Sequence, residues 1–183
     1  MILAHDEPLL FVHSPDIDSR PRGAIIIRMK HALLALTFAL AASTFAAAQT
    51  PSVMPGQWTL DVSKSTYSPG PAPKSQHAVL SAIPNGIRTV ADRVEADGKK
   101  VHFEWNGTFD GKDQPVIGDP ARDAVSVKKI DDYTLEVTNK KGGKVMTVLR
   151  AVYAKDGKSR TETVTGTNAA GQAVKNVTYW TKS

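Results

Sequence analysis

Short turn signals recur between residues 85 and 171 and divide this part of the chain into segments of strand length. Glycine, and less often asparagine or aspartate, tolerates the positive φ that tight hairpin turns require. The segments between the signals are rich in Val and Thr, which fit a pleated, half-buried surface, and none has a sustained helical period. The pattern therefore predicts an antiparallel all-β chain. The signals are Asn85-Gly86, Asp97-Gly98, Asp110-Gly111, Asp131-Asp132, Gly142-Gly143, Asp156-Gly157 and Ala170-Gly171.

We predict nine or ten strands over residues 57–181. An open sheet of ten twisted strands leaves two edges and tends to curl or split, whereas closure removes both edges. The expected fold class is all-β, with a single antiparallel up-and-down β-barrel of about 9–10 strands. A two-sheet β-sandwich is the alternative. The strands are expected near residues 57–62, 75–83, 87–96, 100–109, 113–117, 123–130, 133–140, 144–154, 159–167 and 173–181.

Residues 29–48 have the order of regions that the export machinery reads. Met29-Lys30-His31 is a short basic start, residues 32–42 are an apolar run, and a stretch of small residues ends at Ala48. This order predicts a cleaved secretory signal, and the apolar run is shorter than the roughly 20 residues that a membrane span needs. We therefore expect a secreted or periplasmic protein with no membrane span after signal removal.

The domain organisation follows from this signal. Because the signal begins at an internal Met, we interpret residues 1–28 as an upstream extension from a start assigned too early, or as a disordered segment. A genuine extension ahead of an uncleaved anchor is the alternative. We expect residues 29–48 to be the signal peptide, residues 49–56 a flexible mature N-terminus and residues 57–183 the barrel domain.

The composition removes several classes of function. The chain has no Cys, which excludes structural disulfides, Cys-ligated zinc, iron–sulfur clusters and thiol catalysis. His77 and His102 are the only imidazoles after residue 48, whereas catalytic zinc takes three protein ligands. The formal net charge of +5 is spread over dispersed lysines, and an oligonucleotide-binding barrel has only five strands. We expect no metal, no cofactor, no nucleic-acid partner and a monomer.

Catalytic motifs are weak or missing in the sequence. Gly157-Lys158-Ser159 resembles the end of a phosphate-binding loop, but Val152 stands where that loop needs its first Gly. Ser126 and Lys129 match a Ser-x-x-Lys pair, but the two companion motifs of that enzyme class are missing. The sequence therefore predicts a protein that is not an enzyme.

The start of the predicted barrel carries a known pattern. Gly56-Gln57-Trp58 stands at the head of the first strand, and an antiparallel meander follows. In this the chain resembles the lipocalin and fatty-acid-binding-protein group of barrels, and it is similar to small exported bacterial proteins described as lipocalin-like and of unknown function. The resemblance implies that Trp58 plugs the closed end of the barrel against a basic side chain from a late strand, for which Arg150 is the candidate.

The segment after the first strand departs from this group, in which fatty-acid-binding proteins place a helical lid. Pro69, Pro71 and Pro73 lack amide donors and cannot continue a helix. We predict instead an extended strap over residues 66–74.

Aromatic side chains at alternate strand positions indicate a ligand-lining wall. Phe103 and Trp105 share one strand face, Tyr153 shares a face with Leu149, and Tyr179 is a fourth candidate. We expect an exported, non-catalytic binding module for a small, partly apolar ligand, lined by these four aromatic residues. The alternative is a structural or surface-interaction protein of the cell envelope, with a filled barrel and an envelope polymer as partner. A cavity of about 300 Å³ or more would favour the ligand.

Overall fold

The computed structural model describes residues 49–183. The upstream extension over residues 1–28 and the signal peptide over residues 29–48 lie outside the described residues. Ten strands make up the regular structure of the described part: β1 (Gly56–Thr66), β2 (Ser75–Ile83), β3 (Gly86–Val94), β4 (Lys100–Thr108), β5 (Gln114–Ile117), β6 (Ala124–Asp131), β7 (Thr134–Lys141), β8 (Lys144–Tyr153), β9 (Ser159–Thr167) and β10 (Ala173–Lys182).

The ten strands form one closed up-and-down barrel. Each strand pairs antiparallel with its neighbours in the chain, and β1 pairs with β10 to close the sheet. The predicted all-β antiparallel barrel is thereby confirmed, and the sandwich alternative is not what forms. The described residues contain no helix that is long and apolar enough to cross a bilayer.

Strand β1 is longer than the sequence predicts. It continues beyond residue 62 because the register against β10 shifts after Asp61, and pairing resumes where Thr66 meets Val177. Such an irregularity bends a strand and increases its local twist. The extra residues carry the chain to the edge of the barrel, where the strap begins.

The strap over residues 67–74 contains no helix and no strand. The Ser68 amide donates to the side-chain oxygen of Asn176 at 3.0 Å, and the Lys175 amide donates to the Ser68 carbonyl at 2.7 Å. At its other end the Lys74 amide donates to the Val94 carbonyl at 2.7 Å. The extended strap predicted over residues 66–74 is therefore present over 67–74, tied to β10 at one end and to β3 at the other. The prediction is wrong at Thr66, which is the last residue of β1 and pairs with Val177.

The segment ahead of β1, for which we expected flexibility, makes specific contacts with the barrel. Met54 is fully buried, and its carbonyl accepts a hydrogen bond from the Trp58 indole at 3.0 Å. The Lys182 ammonium donates to the Val53 carbonyl at 3.0 Å. This segment therefore covers the end of the barrel at which Trp58 lies.

Alternation along each strand sets what faces the barrel interior. In β4, Val101 and Phe103 are buried and His102 is exposed. In β9, Arg160 is buried, whereas Thr161 is exposed. Successive strand side chains point to opposite faces of a sheet, so β9 turns an arginine inward. The interior therefore combines an apolar core with ionised side chains.

Candidate ligand-binding cavity

Trp58 and Arg160 form the closed end of the barrel. The Arg160 Cζ atom lies 4.8 Å from the centre of the Trp58 ring and 4.7 Å from the centre of the Trp180 ring. Trp58 also meets Tyr153 edge to face, with ring centres 5.4 Å apart. The strand register explains the cluster, because Arg160 is opposite Tyr153 on β8 and opposite Trp180 on β10. A cation held over aromatic faces away from water is a stabilising arrangement.

Arg150 does not take the role predicted for it. It is exposed and lies on the outer face of β8 between the inward-facing Leu149 and Ala151. Val152, on the same outer face, is 45% exposed. The late-strand basic partners of Trp58 are therefore Arg160 on β9 and Lys182 on β10, whose ammonium lies 5.0 Å from the centre of the ring.

A small inner chamber of about 80 Å³ adjoins the cluster around Trp58, since Tyr153, Arg160 and Trp180 line it. Two buried N–H donors of its lining residues, Trp105 Nε1 and Arg160 Nε, have no hydrogen-bond partner within the described part of the chain. Each terminal nitrogen of Arg160 has one partner, since Nη1 donates to the Tyr153 hydroxyl at 3.4 Å and Nη2 lies 3.0 Å from Glu162. The walls are mostly apolar and include Leu80, Ile87, Phe103, Leu135, Leu149, Ala151 and Trp180.

A larger outer chamber of about 380 Å³ lies between the strap and the ends of the strands. Phe103, Glu162 and Trp180 border both chambers, so the two adjoin. The strap supplies one wall of the outer chamber through Tyr67 and its three prolines, and the barrel supplies the rest, including Gln76, Asn139, Leu149, Val164, Val174, Asn176 and Thr178. The cavity therefore opens at the end opposite to Trp58.

Two arginines hold Phe103 at the border between the chambers. The Cζ atoms of Arg93 and Arg122 lie 5.4 and 5.0 Å from the centre of its ring. Asp119, whose side chain is 2% exposed, lies 3.0 Å from Arg122 and 3.7 Å from Arg93. The Glu95 carboxylate accepts a hydrogen bond from Arg93 Nε at 2.8 Å. Phe103 is thus fixed in place by a balanced set of charges.

The charges that line the cavity cancel. Three arginines and three carboxylates border the two chambers, and each arginine lies beside a carboxylate. Burial lowers the pKa of Arg122, and the charge of Asp119 opposes that change. Because each guanidinium lies beside a carboxylate, the lining carries no excess charge of either sign. The residues are Arg93, Arg122, Arg160, Glu95, Asp119 and Glu162.

The four aromatic residues predicted to line a ligand are not all in the cavity. Phe103 borders both chambers, and Trp105 and Tyr153 border the inner one. Tyr179 lies on the outer face of β10, with the Lys64 ammonium 5.0 Å from the centre of its ring. The neighbouring Trp180 faces inward and lines the inner chamber, where we expected Tyr179.

Sequence reasoning missed the charged lining. On β9, Thr161, Thr163 and Thr165 alternate with Arg160 and Glu162, so both faces of the strand are polar and the alternation does not show which face is inside. On the β5–β6 loop, the placement of Asp119 and Arg122 has no signal in the sequence.

No protein-family model matches the chain, and no curated protein matches it.

Tyr67 gives a test of the strap's position. Burial, and then the charge of Glu162, raises the pKa of Tyr67 from 10.0 to about 12. Because the folded pKa lies above the unfolded value, the free energy of unfolding should fall as the pH rises from 10.0 to about 12 and should not depend on this group at lower pH. The difference in tyrosinate absorbance between the protein and its Tyr67→Phe variant should show one group ionising near pH 12. Ionisation at the ordinary pKa would contradict the position of Tyr67 inside the chamber.

Proposed function

We propose that this protein is an exported, non-catalytic binding module that holds a small, partly apolar ligand inside its barrel. The observation that carries the proposal is the outer chamber of about 380 Å³. Ligand sites in proteins have volumes of roughly 300–1,000 Å³ and combine apolar walls with a few fixed polar groups. The outer chamber meets both conditions, and the adjoining inner chamber extends it toward Trp105 and Tyr153.

The geometry also supports a direction of entry. The end of the barrel at Trp58 is closed by Met54, Tyr153 and Arg160. The other end is bordered by the strap, whose backbone makes few bonds to the barrel. In this proposal the ligand enters beside the strap and extends toward the aromatic side chains of the inner chamber.

Two observations support a role in binding rather than catalysis. The carboxylates that line the cavity are ion-paired or hydrogen-bonded to arginine. Both histidines in residues 49–183 lie on the outer surface, His77 within 3.1 Å of Thr59 and His102 within 2.7 Å of Asp92.

The proposal of export rests on the signal pattern that ends at Ala48, and the proposed relationship to the lipocalin-like group rests on Gly56-Gln57-Trp58 and the barrel.

Binding of N-phenyl-1-naphthylamine, an uncharged fluorescent probe, tests this function. The protein should bind the probe saturably, and Val174→Trp should weaken binding at least tenfold because the indole would occupy part of the outer chamber. Val177→Trp is the matched control on the same strand, since Val177 is 36% exposed on the outside of the barrel. Fluorescence titration gives the three dissociation constants.

The control variant should bind the probe as the unchanged protein does. Urea midpoints of both variants establish that they remain folded under the conditions of the titration. If the unchanged protein shows no saturable binding, the proposal fails and the filled-barrel surface protein becomes the better account. Equal weakening by both tryptophans would place the probe outside the chamber and would also contradict the proposal.

A further inference from the structure

Two buried donors without acceptors identify the chemistry of the inner chamber. Trp105 Nε1 and Arg160 Nε each have no partner among the described residues, and both residues line this chamber. The Arg160 side chain is 5% exposed, so bulk water does not serve it. Since native proteins pair the large majority of buried polar atoms, a buried donor without a partner requires an explanation.

The charge beside these donors limits what the acceptor can be. The Arg160 guanidinium is 3.0 Å from Glu162, whose side chain is 12% exposed. A carboxylate ligand would therefore bring a second negative charge next to Glu162 in a poorly hydrated site, where like charges repel strongly. Arg122 also lines this chamber, but it already has Asp119 as its counter-ion at 3.0 Å. A neutral oxygen or nitrogen acceptor satisfies the two donors without that cost.

We infer that the inner chamber binds an uncharged hydrogen-bond acceptor, such as a ketone, ester or ether oxygen, carried on an apolar part of the ligand. This inference rests on the proposed binding function and narrows its ligand class. The aromatic and aliphatic walls contact the apolar part, and Trp105 Nε1 and Arg160 Nε donate to the acceptor. The polar remainder of the ligand lies in the outer chamber, near Asn139, Asn176 and Thr178.

Three naphthalene compounds of similar shape separate the alternatives. These are 2-acetonaphthone with a ketone, 2-isopropenylnaphthalene with a methylene in place of the oxygen, and 2-naphthoate with a carboxylate. Each is titrated against the bound N-phenyl-1-naphthylamine probe. The ratio of ketone to alkene affinity is then compared between the unchanged protein and its variants, so that the different hydration of the two compounds cancels.

The key variants are Trp105→Phe and Trp180→Phe. Both replace a tryptophan that lines the inner chamber, but the Trp180 indole already donates to Thr178 at 3.0 Å, whereas the Trp105 indole has no partner within residues 49–183. Trp105→Phe should reduce the ketone-to-alkene ratio about tenfold, the size expected for one buried hydrogen bond. Trp180→Phe should change both affinities together and leave the ratio unaltered.

The outcomes distinguish this inference from the function on which it rests. If the probe binds but Trp105→Phe leaves the ratio unchanged, water serves the donors and the inference is overturned while the binding function stands. Tightest binding of 2-naphthoate would also overturn it, in favour of an anionic ligand. If the protein does not bind the N-phenyl-1-naphthylamine probe, both the proposed binding function and this inference fail. If Trp105→Phe does not fold, the infrared carbonyl band of 2-acetonaphthone bound to the unchanged protein provides the test. Hydrogen bonding lowers the frequency of this band, so an unshifted band would contradict the inference.

Discussion

Replacing Trp58 by alanine should lower the free energy of unfolding by about 3–5 kcal/mol, the usual cost of deleting a large buried aromatic side chain. Trp58 is 1% exposed and contacts Tyr153, Arg160 and Lys182 around its ring. Its indole also donates to the Met54 carbonyl, so the variant leaves that buried carbonyl without its donor. Urea unfolding followed by far-ultraviolet circular dichroism measures the loss.

A double-mutant cycle identifies the partner of Trp58. Residues in contact show interaction energies of about 0.5–3 kcal/mol, whereas distant residues are additive. Trp58→Ala should therefore couple to Arg160→Ala. It should be additive with Arg150→Ala, because Arg150 is on the outer face of β8. Coupling to Arg150 with additivity to Arg160 would contradict the register of β8 and β9 described here.

The strand order could be predicted because it depends on local signals. Hairpin turns with Gly at positive φ, such as Gly98 and Gly157, mark where each strand ends. In an up-and-down barrel every strand pairs with its chain neighbour, so turn positions alone determine the topology. The predicted strand bounds are accordingly within a few residues of those observed. The largest difference is the end of β1, at Thr66 rather than residue 62, which follows a register shift that the local pattern does not show.

The facing of side chains was harder to predict where both faces of a strand are apolar or where a charge is buried. In β10 both Tyr179 and Trp180 are aromatic, and their alternation alone does not say which is inside. Closure decides it, because Trp180 lies opposite Arg160 on one side and Leu60 on the other. Likewise Arg160 and Glu162 have the polarity of a solvent face, and only their mutual ion pair makes their burial acceptable.

The charged cluster at Phe103 depends on contacts between distant parts of the chain. Arg93 is on β3, whereas Asp119 and Arg122 lie on the loop between β5 and β6. Nothing in the spacing of these residues indicates that two guanidinium groups and one carboxylate converge on a single ring. The sequence could therefore indicate the aromatic wall of the cavity but not its balanced charge, which is the property that bears on ligand class.

Replacing Arg160 by methionine should cost about 3–5 kcal/mol, because it leaves the buried Glu162 carboxylate without its counter-ion. Glu162 is 12% exposed, and its closest cation is Arg160 at 3.0 Å. Its other bond, from the Thr178 hydroxyl at 3.4 Å, is long and does not neutralise the charge. The variant also removes the guanidinium that lies between the Trp58 and Trp180 rings. Urea unfolding at neutral pH measures the effect.

The double variant Arg160→Met with Glu162→Gln shows whether the uncompensated charge causes the loss. Replacing both members of a buried ion pair by neutral groups of similar shape is often close to neutral, so the second change should recover most of the stability lost in the first. Arg150→Met is the surface control, and it should change the free energy of unfolding by no more than about 0.5 kcal/mol. A double variant as unstable as Arg160→Met alone would mean that the stacking of the guanidinium on the two indoles, rather than its charge, holds the closed end of the barrel together.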